Sequence, residues 1–273
     1  MNFFDFQTEA LNQTADQNRV AYYMDMGLGK TFVGAEKLVR LGARVNLIIC
    51  QKSKVRDWID HVRKYYSYPG NLESGCNPYQ VIDLTMFKQK DWDDDEKFIT
   101  GLVAGQIVYV INYELAFRRP ALKRLSRFTL MLDESSMIQN DTAKRTKFIL
   151  ELTPENVILL SGTPTSGKYE NLWSQAHLLG WNIPKKLYNQ HYVNWIKMEV
   201  DGFPVWVVDS HNPYKNVDRL KEKFRENGAF FKKTNECFEL PEQNMIPIYV
   251  QATKEYRDFL KTGLIQIGDV ELV

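Results

Sequence analysis

The chain has 273 residues and a formal net charge of +1 at pH 7, with 44% hydrophobic and 25% charged residues. This length can hold one large or two modest domains, and the composition is ordinary for a soluble globular protein. There is no apolar run long enough to cross a bilayer, no signal peptide and no metal-ligand spacing among the three cysteines. We therefore expect an intracellular protein without a membrane partner, in which the small net charge still allows a local nucleic-acid groove.

The first informative segment in chain order is residues 24–31, which read Met-Asp-Met-Gly-Leu-Gly-Lys-Thr. Gly27 and Gly29 have no Cβ, so the backbone can wrap around a phosphate and turn its N–H groups toward it. The helix predicted over residues 31–41 directs its positive N-terminal end at the same anion. The strict phosphate-loop pattern has a glycine where this chain has Met24, so the loop alone is a weak signal.

Four side chains supply the chemistry of a nucleotide triphosphatase. Lys30 can reach the β- and γ-phosphates, and the Thr31 hydroxyl can bind Mg²⁺. Further along the chain, the apolar strand predicted over residues 129–132 delivers Asp133 for the metal and Glu134 to polarise the attacking water. An isolated Asp-Glu pair is usually a solvated helix start, but the order and flanking patterns of the two segments favour one nucleotide site.

The first 165 residues alternate between strand and helix patterns. Strands are predicted over residues 43–50, 79–84, 106–111, 129–132 and 156–160, and helices over residues 31–41, 55–66, 113–125 and 142–152. Gly42 suits a left-handed helix cap, Cys50 reads as a core residue, and residues 91–96 form an acidic loop or helix start. Near-continuous apolar strands separated by helices indicate an α/β fold with a parallel sheet covered on both faces, and ligands bind such sheets at the carboxyl ends of the strands.

The pattern changes after residue 165. Helices are predicted over residues 169–180 and 217–226 and from Lys254 onward, and a strand over residues 245–250. Residues 195–208 predict a β-hairpin, because two strand-like runs meet at the turn signal Asp201-Gly202. The aromatic residues of this hairpin are more simply explained by packing than by base stacking.

Several segments, taken in order, resemble the motifs of the Swi/Snf-type ATPases, a branch of the superfamily-two helicases. Residues 25–31 resemble their nucleotide loop, which tolerates the missing first glycine, and Phe6-Gln7 resembles the glutamine motif that reads adenine. Residues 48–53 followed by Trp58 resemble a motif that contacts a DNA strand, with Gln51 in place of proline. The further matching segments are residues 111–114, the Asp-Glu-Ala-His-like box of residues 132–140, the coupling motif of residues 160–164, Leu172-Trp173, residues 231–234 and Leu240-Pro241.

The resemblance implies a RecA-like phosphate-loop NTPase domain over residues 1–167, a helical protrusion with the hairpin over residues 168–240, and a linker from residue 241 to a second RecA-like domain beyond residue 273. It implies ATP and Mg²⁺ as ligands and duplex DNA as a partner, along which the motor would translocate and displace or remodel bound proteins. The second motor domain would supply arginines to the γ-phosphate, so the chain by itself is expected to hydrolyse ATP weakly. The compact layout resembles bacterial or phage members.

The same resemblance assigns roles to individual residues. Catalysis is assigned to Lys30, Asp133 and Glu134, and Mg²⁺ binding to Thr31 and Asp133. The predicted nucleotide-binding residues are Gln7, Met26, Gly27, Leu28, Gly29, Lys30 and Thr31. The predicted nucleic-acid-binding residues are Lys52, Ser53, Asn112, Tyr113 and Thr163.

Alternatives stay open from the sequence. Gln7 could be a helix residue without a ligand, Ser53 a helix N-cap, and residues 161–164 a simple turn. The box ends in Ser135-Ser136 where the family has Ala-His, which leaves an ATP-gated nucleic-acid-binding module with little turnover as one alternative. An RNA-directed helicase on the same fold is another, because phosphate motifs do not name the nucleic acid.

Overall fold

The computed structural model describes residues 2–67, 79–88, 105–165, 167–200, 202–239, 246–262, 265–267 and 270–272. The chain divides into two compact units, Met1–Phe238 and Glu239–Val273. Among the described residues of the second unit, one helix (Lys254–Thr262) is followed by two short antiparallel strands, Ile265–Ile267 and Val270–Leu272. The division of the chain into three parts from its sequence stays a prediction.

The centre of the first unit is a parallel sheet. Within the described residues, seven strands pair in the order β3-β4-β2-β5-β6-β1-β9, and every pair is parallel. The strands are β1 (Arg19–Met24), β2 (Val45–Cys50), β3 (Tyr79–Asp83), β4 (Gln106–Asn112), β5 (Phe128–Asp133), β6 (Asn156–Ser161) and β9 (Ala229–Lys232). The central strands are rich in Val, Ile and Leu because both faces of the sheet are buried.

Helices cover both faces of the sheet, as the alternating sequence pattern predicts. The described helices of the first unit are α1 (Asp5–Gln13), α2 (Lys30–Leu41), α3 (Val55–Tyr66), α4 (Tyr113–Ala116), α5 (Lys144–Leu150), α6 (Trp173–Leu178), α7 (Lys185–Tyr192) and α8 (Val217–Glu226). Helices α1 to α3 pack on one face and α4 to α8 on the other, which gives two buried apolar clusters. The prediction of a RecA-like α/β fold is confirmed.

Several predicted elements match the structure closely. Helices α3 and α8 have the predicted bounds, and Gly42 ends α2 in the left-handed conformation with φ of 65°. The predicted hairpin is present as β7 (Trp195–Val200) paired antiparallel with β8 (Phe203–Val208). Cys50 is fully buried at the end of β2, in agreement with its predicted place in the core.

The helix predicted over residues 113–125 is wrong. The structure has only the short α4 and then a 3-10 helix, Pro120–Arg124. Pro120 lacks an N–H and disfavours helical geometry at the residue before it, so Arg119 has φ of −120° and ψ of 77°. Similarly, the helix predicted over residues 169–180 begins as a 3-10 helix, Tyr169–Leu172, before α6.

The strand predicted over residues 245–250 is also wrong for the described part, residues 246–250, which have no regular structure and are exposed. Pro247 cannot donate to a strand ladder, and an apolar run forms a strand only when a partner strand is present. The acidic segment at residues 91–96 lies outside the described residues. Strand β9 was not predicted, because it has four residues and depends on pairing with the distant β1.

Among the described residues, no helix combines the length and the apolar character that crossing a bilayer requires.

Candidate nucleotide site and the adjoining groove

The predicted phosphate loop lies between the end of β1 and the start of α2. Gly27 and Gly29 have φ of 83° and 75°, a left-handed backbone that glycine adopts without strain. Gly29 is the N-cap residue of α2, so the free N–H groups of that helix face the loop. A Cβ at Gly29 would also collide with Nε2 of Gln7, so a side chain there would displace the Gln7 amide.

Gln7 supports the loop from helix α1. Its side chain is buried, its Nε2 donates to the Leu28 carbonyl at 3.0 Å, and its Oε1 accepts from the Phe4 N–H at 3.1 Å. The Gln7 amide therefore ties α1 to the loop, a contact that is compatible both with adenine binding and with a helix residue that has no ligand. Its contact with adenine stays a prediction.

Lys30 points back across the loop that precedes it. Its Nζ donates to the carbonyls of Met24 at 2.8 Å and Asp25 at 3.1 Å. Burial lowers the pKa of Lys30, while the neighbouring carboxylates of Glu134, Asp133 and Asp25 act in the opposite direction. The ammonium group therefore lies close to the loop and to the acidic pair at the same time.

Asp133 is the last residue of β5 and is held by a tryptophan. The Nε1 of Trp58, on helix α3, donates to Oδ2 of Asp133 at 2.8 Å. Burial raises the pKa of Asp133, and the hydrogen bond from Trp58 partly opposes that shift. This contact orients the carboxylate.

Glu134 has the left-handed conformation, with φ of 58°, which is uncommon for a residue with a Cβ. Two hydroxyl groups donate to its Oε1, from Ser136 at 2.9 Å and from Ser161 at 2.8 Å. Tyr113 lies beneath the turn, and its hydroxyl donates to the backbone carbonyls of Asp133 and Glu134 at 3.0 and 3.3 Å. The Glu134 carboxylate is therefore held by two serine hydroxyls, and its backbone is held by the Tyr113 hydroxyl.

Ser135 points into the core. Its hydroxyl donates to Oε1 of Gln175 at 2.7 Å, and the hydroxyl of Tyr23 donates to the same oxygen at 3.0 Å. The Nε2 of Gln175 donates to the Pro164 carbonyl at 3.0 Å. The two serines therefore have different contacts. Ser136 binds the Glu134 carboxylate, whereas Ser135 is connected through Gln175 to the loop after β6.

One cleft brings the predicted nucleotide residues together. Its lining includes Met26, Gly27, Lys30, Thr31, Asp133, Glu134, Gly162 and Thr163. A hydroxyl and a carboxylate are oxygen ligands of the kind that Mg²⁺ prefers, so the side chains present fit the predicted ion. Three residues of the predicted set do not line the cleft: Gln7, whose amide lies on the Leu28 carbonyl, Leu28, whose side chain is buried in the core, and Gly29.

A second groove lies where β2, β3 and β4 end. It is lined by Gln51, Lys52, Ser53, Val55, Arg56, Asp83, Thr85, Asn112, Glu114, Leu115 and Met137. Three of the predicted nucleic-acid contacts, Lys52, Ser53 and Asn112, therefore lie together, whereas Thr163 lies in the nucleotide cleft. The N-cap residue of α3 is Lys54, and no side chain caps the helix, so the capping role considered for Ser53 is wrong.

The structure disagrees with the predicted role of Tyr113 in nucleic-acid contact. Its side chain is fully buried, and burial raises its pKa well above the ordinary value. The sequence placed it next to Asn112 at the end of a strand, but could not indicate that the ring turns inward beneath the acidic pair. Its hydroxyl instead supports the backbone on which Asp133 and Glu134 depend.

Several residues around the cleft were not assigned these contacts from the sequence. Trp58 was noted as part of a motif, but its hydrogen bond to Asp133 spans 75 positions. The contacts of Ser161 with Glu134 and of Gln175 with Ser135 span 27 and 40 positions. No local pattern predicts such contacts, because they depend on how strands and helices pack.

The sequence model of the SNF2-related domain matches residues 22–271. The chain belongs to this family. The matched range includes the phosphate loop, the acidic pair and the Ser161 loop, and so the predicted membership of the Swi/Snf-type branch is confirmed.

The relatives that this chain matches are much longer than the chain itself. The chromatin-remodeling ATPase INO80 of Kluyveromyces lactis is 24% identical over 210 residues, which are 72% of this chain and 14% of that protein. The ISWI chromatin-remodeling complex ATPase ISW2 of Saccharomyces cerevisiae is 27% identical over 185 residues, or 64% of this chain and 15% of that protein. The helicase SWR1 of Candida albicans is 28% identical over 205 residues, which are 73% of this chain and 11% of that protein.

Solved structures support the same fold. The Sulfolobus solfataricus SWI2/SNF2 ATPase core in complex with dsDNA aligns with a TM-score of 0.56 at 19% identity, covering 85% of this chain and 45% of that chain. The SWI2/SNF2 ATPase core domain of the same organism aligns with a TM-score of 0.51 at 22% identity, covering 70% of this chain and 38% of that chain. The RecA-like ATPase-core architecture of the first unit agrees with both.

Proposed function

We propose that this chain is the ATP-binding half of a DNA-dependent ATPase that translocates on duplex DNA and remodels or displaces bound proteins. The observation that carries the proposal is the single cleft in which the phosphate loop, the Asp133-Glu134 pair and the Gly162-Thr163 loop meet. Family membership and relatives named as chromatin-remodeling ATPases support the same conclusion. The chain spans 11–15% of the length of the relatives described above, so translocation and displacement are proposed for the whole protein.

The side chains in the cleft would have different roles in phosphoryl transfer. The loop N–H groups and Lys30 would hold the phosphates, and Thr31 and Asp133 would hold Mg²⁺. Mg²⁺, when bound, neutralises charge on the phosphate oxygens. Glu134 would orient the attacking water, and the hydroxyls of Ser136 and Ser161 fix the direction of its carboxylate.

The proposal is tested by steady-state ATP hydrolysis of the full-length protein, alone and with duplex DNA, single strands or structured RNA. Lys30→Ala should abolish nucleotide binding, measured with a fluorescent ATP analogue. Glu134→Gln should bind ATP but lose turnover, because the amide cannot accept the proton of the water. Glu155→Gln makes the same chemical change at an exposed glutamate before β6 and should be neutral. Normal hydrolysis in Glu134→Gln would refute the assignment.

The groove beside the cleft is proposed to face the nucleic acid. Lys52 is exposed on its rim and can contact a phosphate. Lys52→Ala should weaken binding about equally for all duplex sequences and reduce the slope of log affinity against log salt by about 1. Lys147→Ala, a change to a lysine on α5 that is not among the groove residues, is the control. Preferential binding of structured RNA would favour the RNA-directed alternative.

One observation favours a second candidate function, an ATP-gated binding module. Two hydroxyl groups donate to the same oxygen of Glu134 and occupy both of its lone pairs, so that oxygen is not open to a hydrogen bond from the attacking water. In this case ATP would bind and alter nucleic-acid affinity without turnover under any condition. Recovery of hydrolysis in Ser136→Ala would identify the serine contact as the inhibitory one.

A further inference from the structure

Asp25 connects the phosphate loop to the segment at which the first unit ends. We define residues 233–238 as the exit segment. The N–H of Asp25 donates to the Lys232 carbonyl at 3.0 Å. Its Oδ2 accepts from the Thr234 N–H at 2.9 Å and from the Thr234 hydroxyl at 3.4 Å. Its carbonyl accepts from Lys30 at 3.1 Å, so one residue contacts both the exit segment and the phosphate-binding lysine.

A second set of contacts ties the other end of the exit segment to the same loop. The ring of Phe238 packs edge-on against Phe4 and Phe6, with centroid distances of 6.1 and 5.8 Å. The Phe4 N–H donates to Gln7, which donates to the Leu28 carbonyl of the loop. The exit segment is therefore fixed at Thr234 and at Phe238, and both contacts lead back to the phosphate loop.

The charge of Asp25 also needs an explanation. A carboxylate within a phosphate loop repels the anion that the loop binds, so it lowers affinity unless it is directed elsewhere. Here it turns away from the cleft and caps the first turn of the 3-10 helix Thr234–Glu236. The two hydrogen bonds that Oδ2 accepts from Thr234 account for the direction of the side chain.

Lys30 makes this arrangement responsive to a ligand. A phosphate in the loop competes with the Met24 and Asp25 carbonyls for the same ammonium group. When Lys30 turns to the phosphate, the peptide of Asp25 loses one of its restraints. We propose that Asp25 is a positioning residue that transmits occupancy of the phosphate loop to the exit segment, which rests on the proposed nucleotide binding by this loop.

The test is hydrogen exchange of residues 233–238 in the full-length protein, with and without a non-hydrolysable ATP analogue. In the wild type the analogue should speed exchange of this segment by about fivefold, the low end of ordinary coupling between sites. At an analogue concentration that saturates the variant, Asp25→Ala should show no such change, because the carboxylate contact is gone. Asp25→Asn should keep the response, because its amide oxygen still accepts from the Thr234 N–H.

Thr234→Pro provides an independent variant. Lys233 has ψ of 154°, which suits a residue before proline, and proline is tolerated at the first helical position. The substitution removes the N–H that binds Asp25, so it should abolish the response in residues 235–238 without unfolding the segment. Thr234→Val removes only the longer hydroxyl contact and should retain the response.

The outcomes separate the two proposals. An unchanged response in Asp25→Ala overturns the role of Asp25, and so does loss of analogue binding in that variant. If the wild type binds the analogue but exchange at residues 233–238 does not increase, the transmission alone is refuted. If the wild type binds no nucleotide, the proposed function fails as well. Hydrogen exchange without nucleotide then tests the contact between Asp25 and Thr234 by itself. In this experiment Asp25→Ala should speed exchange of the amides of the exit segment.

Discussion

Trp58 determines the direction of the Asp133 carboxylate through a hydrogen bond from a different layer of the fold. The donor comes from α3 and the acceptor ends β5, so the bond also fixes helix against sheet. Partners of this kind around metal ligands typically change metal affinity or activity by about 10–100-fold when they are removed.

Trp58→Phe should therefore raise the Mg²⁺ concentration needed for half-maximal ATP hydrolysis by about tenfold. The change keeps an aromatic ring in the core and removes the N–H donor. The measurement is a Mg²⁺ titration at saturating ATP, with stability checked by urea unfolding. Trp195→Phe on the hairpin is the matched control. An unaltered Mg²⁺ dependence in Trp58→Phe would show that the hydrogen bond does not tune the site.

His61 lies in an aromatic cluster behind the phosphate-loop helix. Its ring packs edge-on against Phe32 at 4.8 Å, and its Nε2 is buried without a hydrogen-bond partner among the described residues. Burial, with a smaller effect of Lys64, lowers the pKa of His61 to about 4. The folded protein therefore resists protonation at a pH where the unfolded chain accepts a proton.

The free energy of unfolding should consequently fall as the pH falls from about 6.5, the pKa of His61 in the unfolded chain, toward 4, its pKa in the folded protein. Above about pH 6.5 His61 is neutral in both states and does not make stability depend on pH. His61→Phe keeps the ring packing and removes the titrating group. The urea midpoint should then fall less between pH 7 and pH 5 than in the wild type. His211→Phe, on an exposed side chain, is the control, and equal slopes in all three proteins would contradict this assignment.

The catalytic candidates could be predicted at the residue scale, but their partners could not. Lys30 and Thr31 lie in one contiguous segment, and Asp133-Glu134 in another, so short patterns identify them. Ser161 and Gln175 contact the box only after β6 and α6 pack beside it. The inward turn of Tyr113 could not be predicted for the same reason, since burial of a strand-end residue depends on tertiary packing.

At the scale of the element, Gly34 permits close packing of α2 on the sheet. A Cβ at this position would lie 2.8 Å from Cδ1 of Leu160 and 3.2 Å from the sulfur of Met131. Glycine inside a helix costs about 1 kcal/mol relative to alanine, so its presence here indicates a steric requirement. Leu160 is fully buried on β6 and cannot easily move aside.

Gly34→Ala should lower the free energy of unfolding by about 1 kcal/mol, because an overpacking cost of about 1–3 kcal/mol exceeds the gain in helix propensity. Leu160→Val removes a methylene near the new methyl group. The double variant should therefore lose less stability than the sum of the single variants, by at least about 0.5 kcal/mol. The measurement is a double-mutant cycle by urea unfolding, and strict additivity would show that the two positions do not interfere.

Element prediction succeeded where a local rule dominates. Helix α3 was delimited by its apolar face, and the hairpin by its glycine-containing turn. It failed over residues 113–125, where Pro120 overrides helical periodicity, and at β9, whose four residues carry no pattern of their own. Apolar residues 246–250 show the converse, since a strand-like composition does not make a strand by itself.

At the scale of the whole molecule, the first unit has its own core. Its sheet and both apolar clusters lie within Met1–Phe238. We expect a protein of residues 1–238 to unfold in one cooperative transition and to bind the fluorescent ATP analogue. Calorimetry and a binding titration measure these properties. A broad, non-cooperative transition would mean that residues 239–273 are required for folding of the first unit.

The sheet class was predictable from buried strands that alternate with helices, whereas the strand order was not. Strand β1 pairs with β6 and β9, and these partners are distant in sequence. Periodicity carries no information about which strands become neighbours. The same limitation hid the contact of Asp25 with Thr234, which spans 209 positions.

Strand order has a consequence for the time at which the nucleotide site can form during synthesis. The phosphate loop is translated early, but β1 lacks its two neighbours until β6 and β9 have followed. At ordinary elongation rates of about 5–20 residues per second, the nascent loop waits roughly 10–40 s for Thr234 to be added. During that interval the buried strand β1 exists without its neighbour β9, whereas every partner strand of β2 and β4 is synthesised before β9. Chaperone dependence of the growing chain should therefore be greatest before β9 leaves the ribosome.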